Sequence, residues 1–156
     1  MVRAFDEKDA ELYREHGPGL VRFATSLVGP NDAADVVQNA VVRAFTSSSW
    51  EHVANHRAYL YRSVMNEANS QHRSTMRRRA REMRMAHPAV EYPQEVQPEV
   101  LEAVGSLSPR QRAVMYLTYW EDLDEATVAE RLGIGRGSVR RHLGRGREKL
   151  RTVLDE

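Results

Sequence analysis

The chain has 156 residues, a formal net charge of +1 and no cysteine, which excludes a disulfide framework, a thiolate metal site and a cysteine nucleophile. Hydrophobic residues make up 41% and charged residues 29%, the balance of a globular chain with room for one ordinary domain or two small ones. No apolar run approaches the roughly 18 residues of a membrane span, and the opening MVRAFDEKDAELYREHG lacks the apolar core of a secretion signal, so a cytoplasmic location is expected.

Apolar residues recur at helical spacing and no segment alternates with period two, which predicts an all-α fold. Phe5, Leu12 and Tyr13 predict a short first helix closed by Gly17 and Pro18. Leu20, Val21, Phe23, Ala24, Leu27 and Val28 form the stripe of a second helix, ended by Gly29 and Pro30. Asn31 is the expected N-cap of a third helix, with Asp32 and Asp35 near its positive dipole end and Val36, Val37, Ala40, Val41, Ala44 and Phe45 along its apolar face. After the polar break TSSSWEHVANH, a long helix is expected over residues 56–85, half apolar at first and basic at its end. Residues 86–98 hold three of the six prolines and read as a flexible linker between two small helical domains, 1–85 and 99–156. In the second domain, PEVLEAVGSL predicts a short helix. Ser108, Pro109 and Gln111 then make an N-cap, a first-position proline and a capping box. Asp124 can cap the next helix, which stops at Gly133.

The near-neutral total hides a segregation of charge. Residues 71–85 hold six Arg and one acid, and residues 136–156 hold seven Arg or Lys and three acids. The stretches 1–70 and 86–135 are both net acidic. Basic segments attract phosphate backbones, and acidic faces must point elsewhere.

Ala129, Gly133 and Val139 have the spacing of a helix-turn-helix: a small residue where two helices cross, a glycine in the turn, and an apolar residue that packs the second helix back on the first, completed by Ile134 and Leu143. The opposite face of that second helix carries Arg136, Ser138, Arg140, Arg141, His142 and Arg145, donors suited to phosphates and base edges in a major groove. A basic helical hairpin without a DNA role would present the same face.

Residues 31–45 (NDAADVVQNAVVRAF) and 57–73 (RAYLYRSVMNEANSQHR) resemble region two of bacterial sigma factors, and residues 106–151 resemble region four. Their order and the proline-bearing linker resemble the extracytoplasmic-function class, sigma factors built from these two domains alone. The resemblance implies that the third helix docks on the β′ clamp helices of core RNA polymerase through Asp32, Asp35, Gln38, Asn39 and Arg43. It implies that residues 46–55 and the helix after them read the minus-ten element of promoter DNA, holding bases of the melted non-template strand. Trp50, Tyr59 and Tyr61 are the aromatic candidates there, each equally readable as a core wedge. Asn55, Arg62, Asn66, Gln71, His72 and Arg73 are the polar candidates. The basic tail Arg73, Arg77, Arg78, Arg79, Arg81 and Arg84 suits phosphates of the adjacent duplex. The helix RQRAVMYLTYW resembles the surface that meets the polymerase β flap, and the recognition helix would read the minus-thirty-five element. An anti-sigma partner is expected on the same ground.

Four positions depart from the family pattern: Asn39 stands where an acid is usual, Val41 where an aromatic is usual, Ser70 where an Asp is usual, and Arg141 where a small residue is usual. An enzyme is not expected, since no glycine-rich phosphate loop or hydrolase motif is present; no cofactor is expected either. His52 and His56, four apart, have no third ligand nearby and do not make a zinc site. Two alternatives remain at this level: a free-standing helix-turn-helix regulator that needs no polymerase, and an inhibitory sigma look-alike.

Overall fold

The computed structural model describes residues 3–82 and 105–155, and every regular element among them is helical. The expected linker at 86–98, the expected helix before residue 105, the last turn of the basic helix with Arg84, and the Arg79 side chain lie outside the described residues.

Helix α1 spans Glu7–Val28 and opens with a capping box between Asp6 and Asp9. The expected break at Gly17 and Pro18 does not occur: one helix runs through both residues. A proline inside a helix costs about 3 kcal/mol. The fully buried Leu20, Phe23 and Leu27 on one face each contribute about 1.5–3 kcal/mol, enough to offset it. Helix α2, Pro30–Thr46, starts one residue earlier than expected. Gly29, at φ +85°, is the cap in place of Asn31, because Pro30 takes the first helical position that its fixed φ favours. A single 3-10 turn, Trp50–His52, interrupts the polar break. Helix α3 spans His56–Glu82, and the Asn55 side chain accepts the Ala58 N–H at 3.0 Å just ahead of it.

In the second half, α4 spans Pro109–Met115. It starts from the expected capping box, in which the Ser108 hydroxyl accepts from the Gln111 N–H and the Gln111 side chain accepts from the Ser108 N–H. The helix then widens into one π-helical turn, Tyr116–Trp120, not the unbroken α-helix expected. Asp124 caps α5, Glu125–Leu132, accepting the Thr127 N–H at 2.8 Å. Gly133 ends α5 at φ +63°, a left-handed conformation that favours glycine. Helix α6 follows over Arg136–Leu154. Ala129 and Val139 are buried where α5 and α6 cross, with Ile134 and Leu143 partly buried beside them, as the spacing predicts. Gly146 is buried too: a Cβ there would come within 2.6 Å of Met115 Sδ, so the lack of a side chain lets α4 and α6 close.

The core of the first half is α1, α2 and α3 around Phe23, Val36, Val37, Phe45, Leu60 and Val64. This core is continuous with that of the second half: Val114, Leu117, Val128 and Leu132 belong to the same buried cluster.

Candidate nucleic-acid interface

Helix α6 is where the exposed cations gather. The turn at Gly133 redirects the chain so that Val139 points into the core while Arg136, Arg140, Arg141 and Arg145 stand on the opposite, exposed face. Two of these are pre-oriented. Arg140 Nε donates to Glu125 Oε2 at 2.9 Å across the helix-turn-helix, and Arg141 donates to Ser138 Oγ at 3.1 Å. Glu125 was not among the residues picked from sequence; its signal is its position in the first turn of the preceding helix. His142 is half-buried and does not stand in the exposed row. Burial first, then the nearby Arg110, Arg141 and Arg145, hold its pKa below the ordinary imidazole value, so near neutral pH it is an uncharged donor or acceptor and not a phosphate-seeking cation. Further along, Arg147 Nε donates to the Tyr119 hydroxyl at 2.5 Å and its guanidinium lies 5.5 Å from that ring.

The second basic region is α3. Asn66, Arg62, Arg73 and Arg77 are exposed, Gln71 and His72 half-buried, and the aromatic candidates divide. Trp50 is only 2% exposed: its indole N–H donates to Asp9 Oδ1 at 2.9 Å, and its ring meets Phe45, His56 and Tyr59 at 5.0, 4.4 and 5.5 Å. It is the core wedge of the two readings and offers no face for a base. Tyr61 is buried as well, its ring 5.0 Å from Phe23, and burial pushes its hydroxyl pKa up. Tyr59 is half-buried. Trp50 thus anchors the 46–55 loop, and Arg3 completes the anchor. Its guanidinium donates to Asp9 at 2.5 Å, to Glu51 at 3.1 Å and to the Phe45 carbonyl at 3.1 Å. Neither Arg3 nor Asp9 was singled out from sequence, since Phe45, Trp50 and Glu51, which they hold, lie some 40 residues on.

Helix α2 presents a third surface. Asp32, Asp35, Gln38, Asn39 and Arg43 are all exposed on its outer side. Val42, 44% exposed on the same stripe, adds an apolar centre that the heptad-like spacing 35, 38, 39, 42 would have revealed. Asn39 and Arg43 also contact α3: the Asn39 amide donates to Glu67 Oε1 at 3.5 Å, and Arg43 lies 3.3 Å from Glu67 Oε2. Glu67 is 8% exposed. An acid at position 39 would put a second carboxylate beside a nearly buried one, so the amide has a local cause. Val41 is 6% exposed and faces the core, which makes its departure a change of packing volume and not of surface.

Residues 12–78 match the family described as Sigma-70 region 2, and residues 98–150 match Sigma-70, region 4. An RNA polymerase sigma-E factor of Streptomyces antibioticus is 30% identical over 93% of this chain and 83% of its own length. The ECF RNA polymerase sigma factor SigL of Mycobacterium tuberculosis is 30% identical over 93% of this chain and 88% of its own. Among solved structures, the sigma factor RpoE of Bartonella quintana, in complex with the anti-sigma factor NepR, has the same fold at a TM-score of 0.66 and 22% identity, covering 96% of this chain and 98% of that one. CnrH in complex with the cytosolic domain of CnrY gives a TM-score of 0.60 at 25% identity, covering 94% and 87%.

Proposed function

Because the chain belongs to the extracytoplasmic-function class of RNA polymerase sigma factors, non-catalytic subunits that bind core polymerase and direct promoter-specific initiation, we propose a division of that work among its own residues. The observation that carries it is the separation of two exposed surfaces of opposite character. One is the α2 stripe of Asp32, Asp35, Gln38, Asn39, Val42 and Arg43; the other is the arginine row of α6. The α2 stripe meets the β′ clamp helices, where its carboxylates face a protein surface and not phosphates. Arg136, Arg140, Arg141 and Arg145, with Ser138, read the minus-thirty-five duplex. Arginine on a guanine edge is the commonest specific major-groove contact. His142 supports the packing of that helix more than its charge. Asn66, Arg62, Gln71 and His72 contact the melted minus-ten strand, with Asn55 at the head of their helix. Arg73 and Arg77 hold phosphates alongside. Trp50 serves by holding the loop. Tyr119 and Trp120, exposed beyond α4, suit the β flap. The protein works in the cytoplasm, where polymerase and chromosomal DNA are. An anti-sigma partner, like the NepR bound to the Bartonella quintana RpoE, is part of this reading.

The test is transcription by sigma-free core polymerase on a fragment library of the source genome, with transcript 5′ ends sequenced. Discrete starts sharing a two-part upstream motif are expected. On such promoters Asn66→Ala weakens dependence on the downstream element, and Arg140→Ala costs about 1–3 kcal/mol at one or two upstream base pairs. Specific duplex binding with no starts at all would instead favour a regulator acting alone.

A further inference from the structure

Glu125 stands in the first turn of α5, a helix already capped by Asp124 and buried through Val128, Ala129 and Leu132. An acid there complements the helix dipole, but so would one that left α6 alone. The Glu125 carboxylate instead reaches across the helix-turn-helix and accepts from Arg140 Nε at 2.9 Å. The Arg140 side chain is 67% exposed and that of Glu125 37%. An ion pair this exposed adds little to stability, so what it chiefly fixes is the geometry and charge of one arginine.

Three features suit the pair to reading a base. First, of Arg136, Arg140, Arg141 and Arg145, Arg140 alone forms an ion pair among the described residues, whereas Arg141 is held by the neutral Ser138 hydroxyl. A phosphate drawn to Arg140 must also approach the Glu125 carboxylate, which repels it. A base edge carries no net charge and escapes most of that repulsion. Second, the contact uses Nε. The guanidinium is a planar fork, and pairing through Nε leaves its terminal amino groups, at the far end of the plane, for O6 and N7 of guanine. Third, α6 itself does little to steady Arg140 on its outer side. The positions three before and four after it, which flank a helical side chain, are Gly137 and Gly144, and a Cβ at either would meet nothing within 4 Å. The side chain can swing across that gap unless Glu125 holds it. Holding it beforehand lowers the entropy lost when DNA binds.

We infer that Glu125 is a positioning residue for promoter choice: by holding Arg140 through Nε and countering its charge, it commits that arginine to a guanine of the upstream element and keeps it off the phosphates. This rests on the upstream-reading role proposed for α6. Glu125 acts through Arg140 and not by a DNA contact of its own. The test uses the full chain with core polymerase. A promoter recovered in the transcription experiment is randomised across its upstream element, each member carries a barcode in the transcribed region, and sequenced transcripts give the base preference at every position. The wild-type chain is expected to favour guanine at one position about tenfold. Arg140→Ala and Arg140→Lys both abolish that preference, the second because an ammonium has no fork. Glu125→Ala cuts it to threefold or less and leaves the other positions within twofold. Glu125→Gln, whose amide oxygen can still accept from Nε but carries no charge, falls between. In the Arg140→Ala background, Glu125→Ala changes nothing further. The inference is overturned if Glu125→Ala keeps the tenfold preference, if it shifts base preference as much with Arg140 absent, or if it lowers transcription from every member alike, which would make Glu125 a structural residue of α5. If Arg140→Ala itself leaves every preference intact, Arg140 reads no base and its proposed upstream role falls too. A preference lost with Arg140→Ala but kept with Glu125→Ala sinks the inference alone.

Discussion

Asp9 is 2% exposed, yet it is a carboxylate. Burial alone would raise its pKa. Hydrogen bonds from Arg3, from the Trp50 indole and from the Asp6 backbone more than offset that and hold it below the usual Asp value of 3.8. A carboxyl depressed in the folded state contributes stability that is complete above its unfolded value and is lost as pH falls through the folded one. The protein should therefore lose stability as pH drops below about 4, and Asp9→Asn should flatten that part of the profile, read as urea midpoint against pH. At neutral pH, Asp9→Ala leaves the Trp50 N–H without its acceptor and removes one of the three carboxylates around Arg3, whose side chain is 13% exposed, and should cost about 3 kcal/mol. Because Trp50 anchors the 46–55 loop, the same variant at permissive temperature should weaken use of the minus-ten element more than that of the minus-thirty-five element. Equal loss at both elements would mean that the network serves global stability alone.

At the scale of elements, the helix-turn-helix was legible because its determinants are local. Ser108 with Gln111, Asp124 three residues before Thr127, and Gly133 at the left-handed turn each act within a few positions. Gly133→Ala should cost about 1 kcal/mol or more from the positive φ alone, and more still because the new methyl presses on Arg62. Thermal unfolding of that variant beside Arg62→Ala/Gly133→Ala separates the two contributions, since only the second variant removes the clash. What the sequence did not disclose depends on distant partners. Gly17 and Pro18 read as a helix break because local propensity is all a window contains; the burial of Leu20, Phe23 and Leu27 against α2 and α3 decides otherwise. Trp50 read equally as wedge or base platform, since its partner Asp9 is 41 residues away. Of the six candidates of α6, helical spacing put Arg136, Arg140, Arg141 and Arg145 on the exposed face. Ser138 and His142 are half-buried, His142 beside Arg110 of α4, another element.

At the scale of the molecule, a net charge of +1 would give little attraction to DNA if it were spread evenly. The attraction comes from segregation, and the two basic blocks should separate experimentally. An upstream-element duplex offers phosphates to α6 but not to the end of α3. If Arg136, Arg140, Arg141 and Arg145 of α6 each neutralise one phosphate, log affinity of the free chain should fall with log salt at a slope of about −3.6. Arg136→Ala should reduce that slope by about 0.9 if its contact is a phosphate, and should change base preference with little effect on slope if its contact is a base edge. Replacing Arg73, Arg77 and Arg78 with alanine should leave the slope on this duplex unchanged, and should make salt sensitivity shallower only for complexes that include the minus-ten region. Anisotropy titrations between 50 and 200 mM salt, about a thousandfold range of affinity for a contact set somewhat larger than this one, resolve these differences. A slope that falls with the α3 triple variant on the upstream duplex would mean that both blocks lie on one DNA track, and that α6 is not by itself the upstream reader.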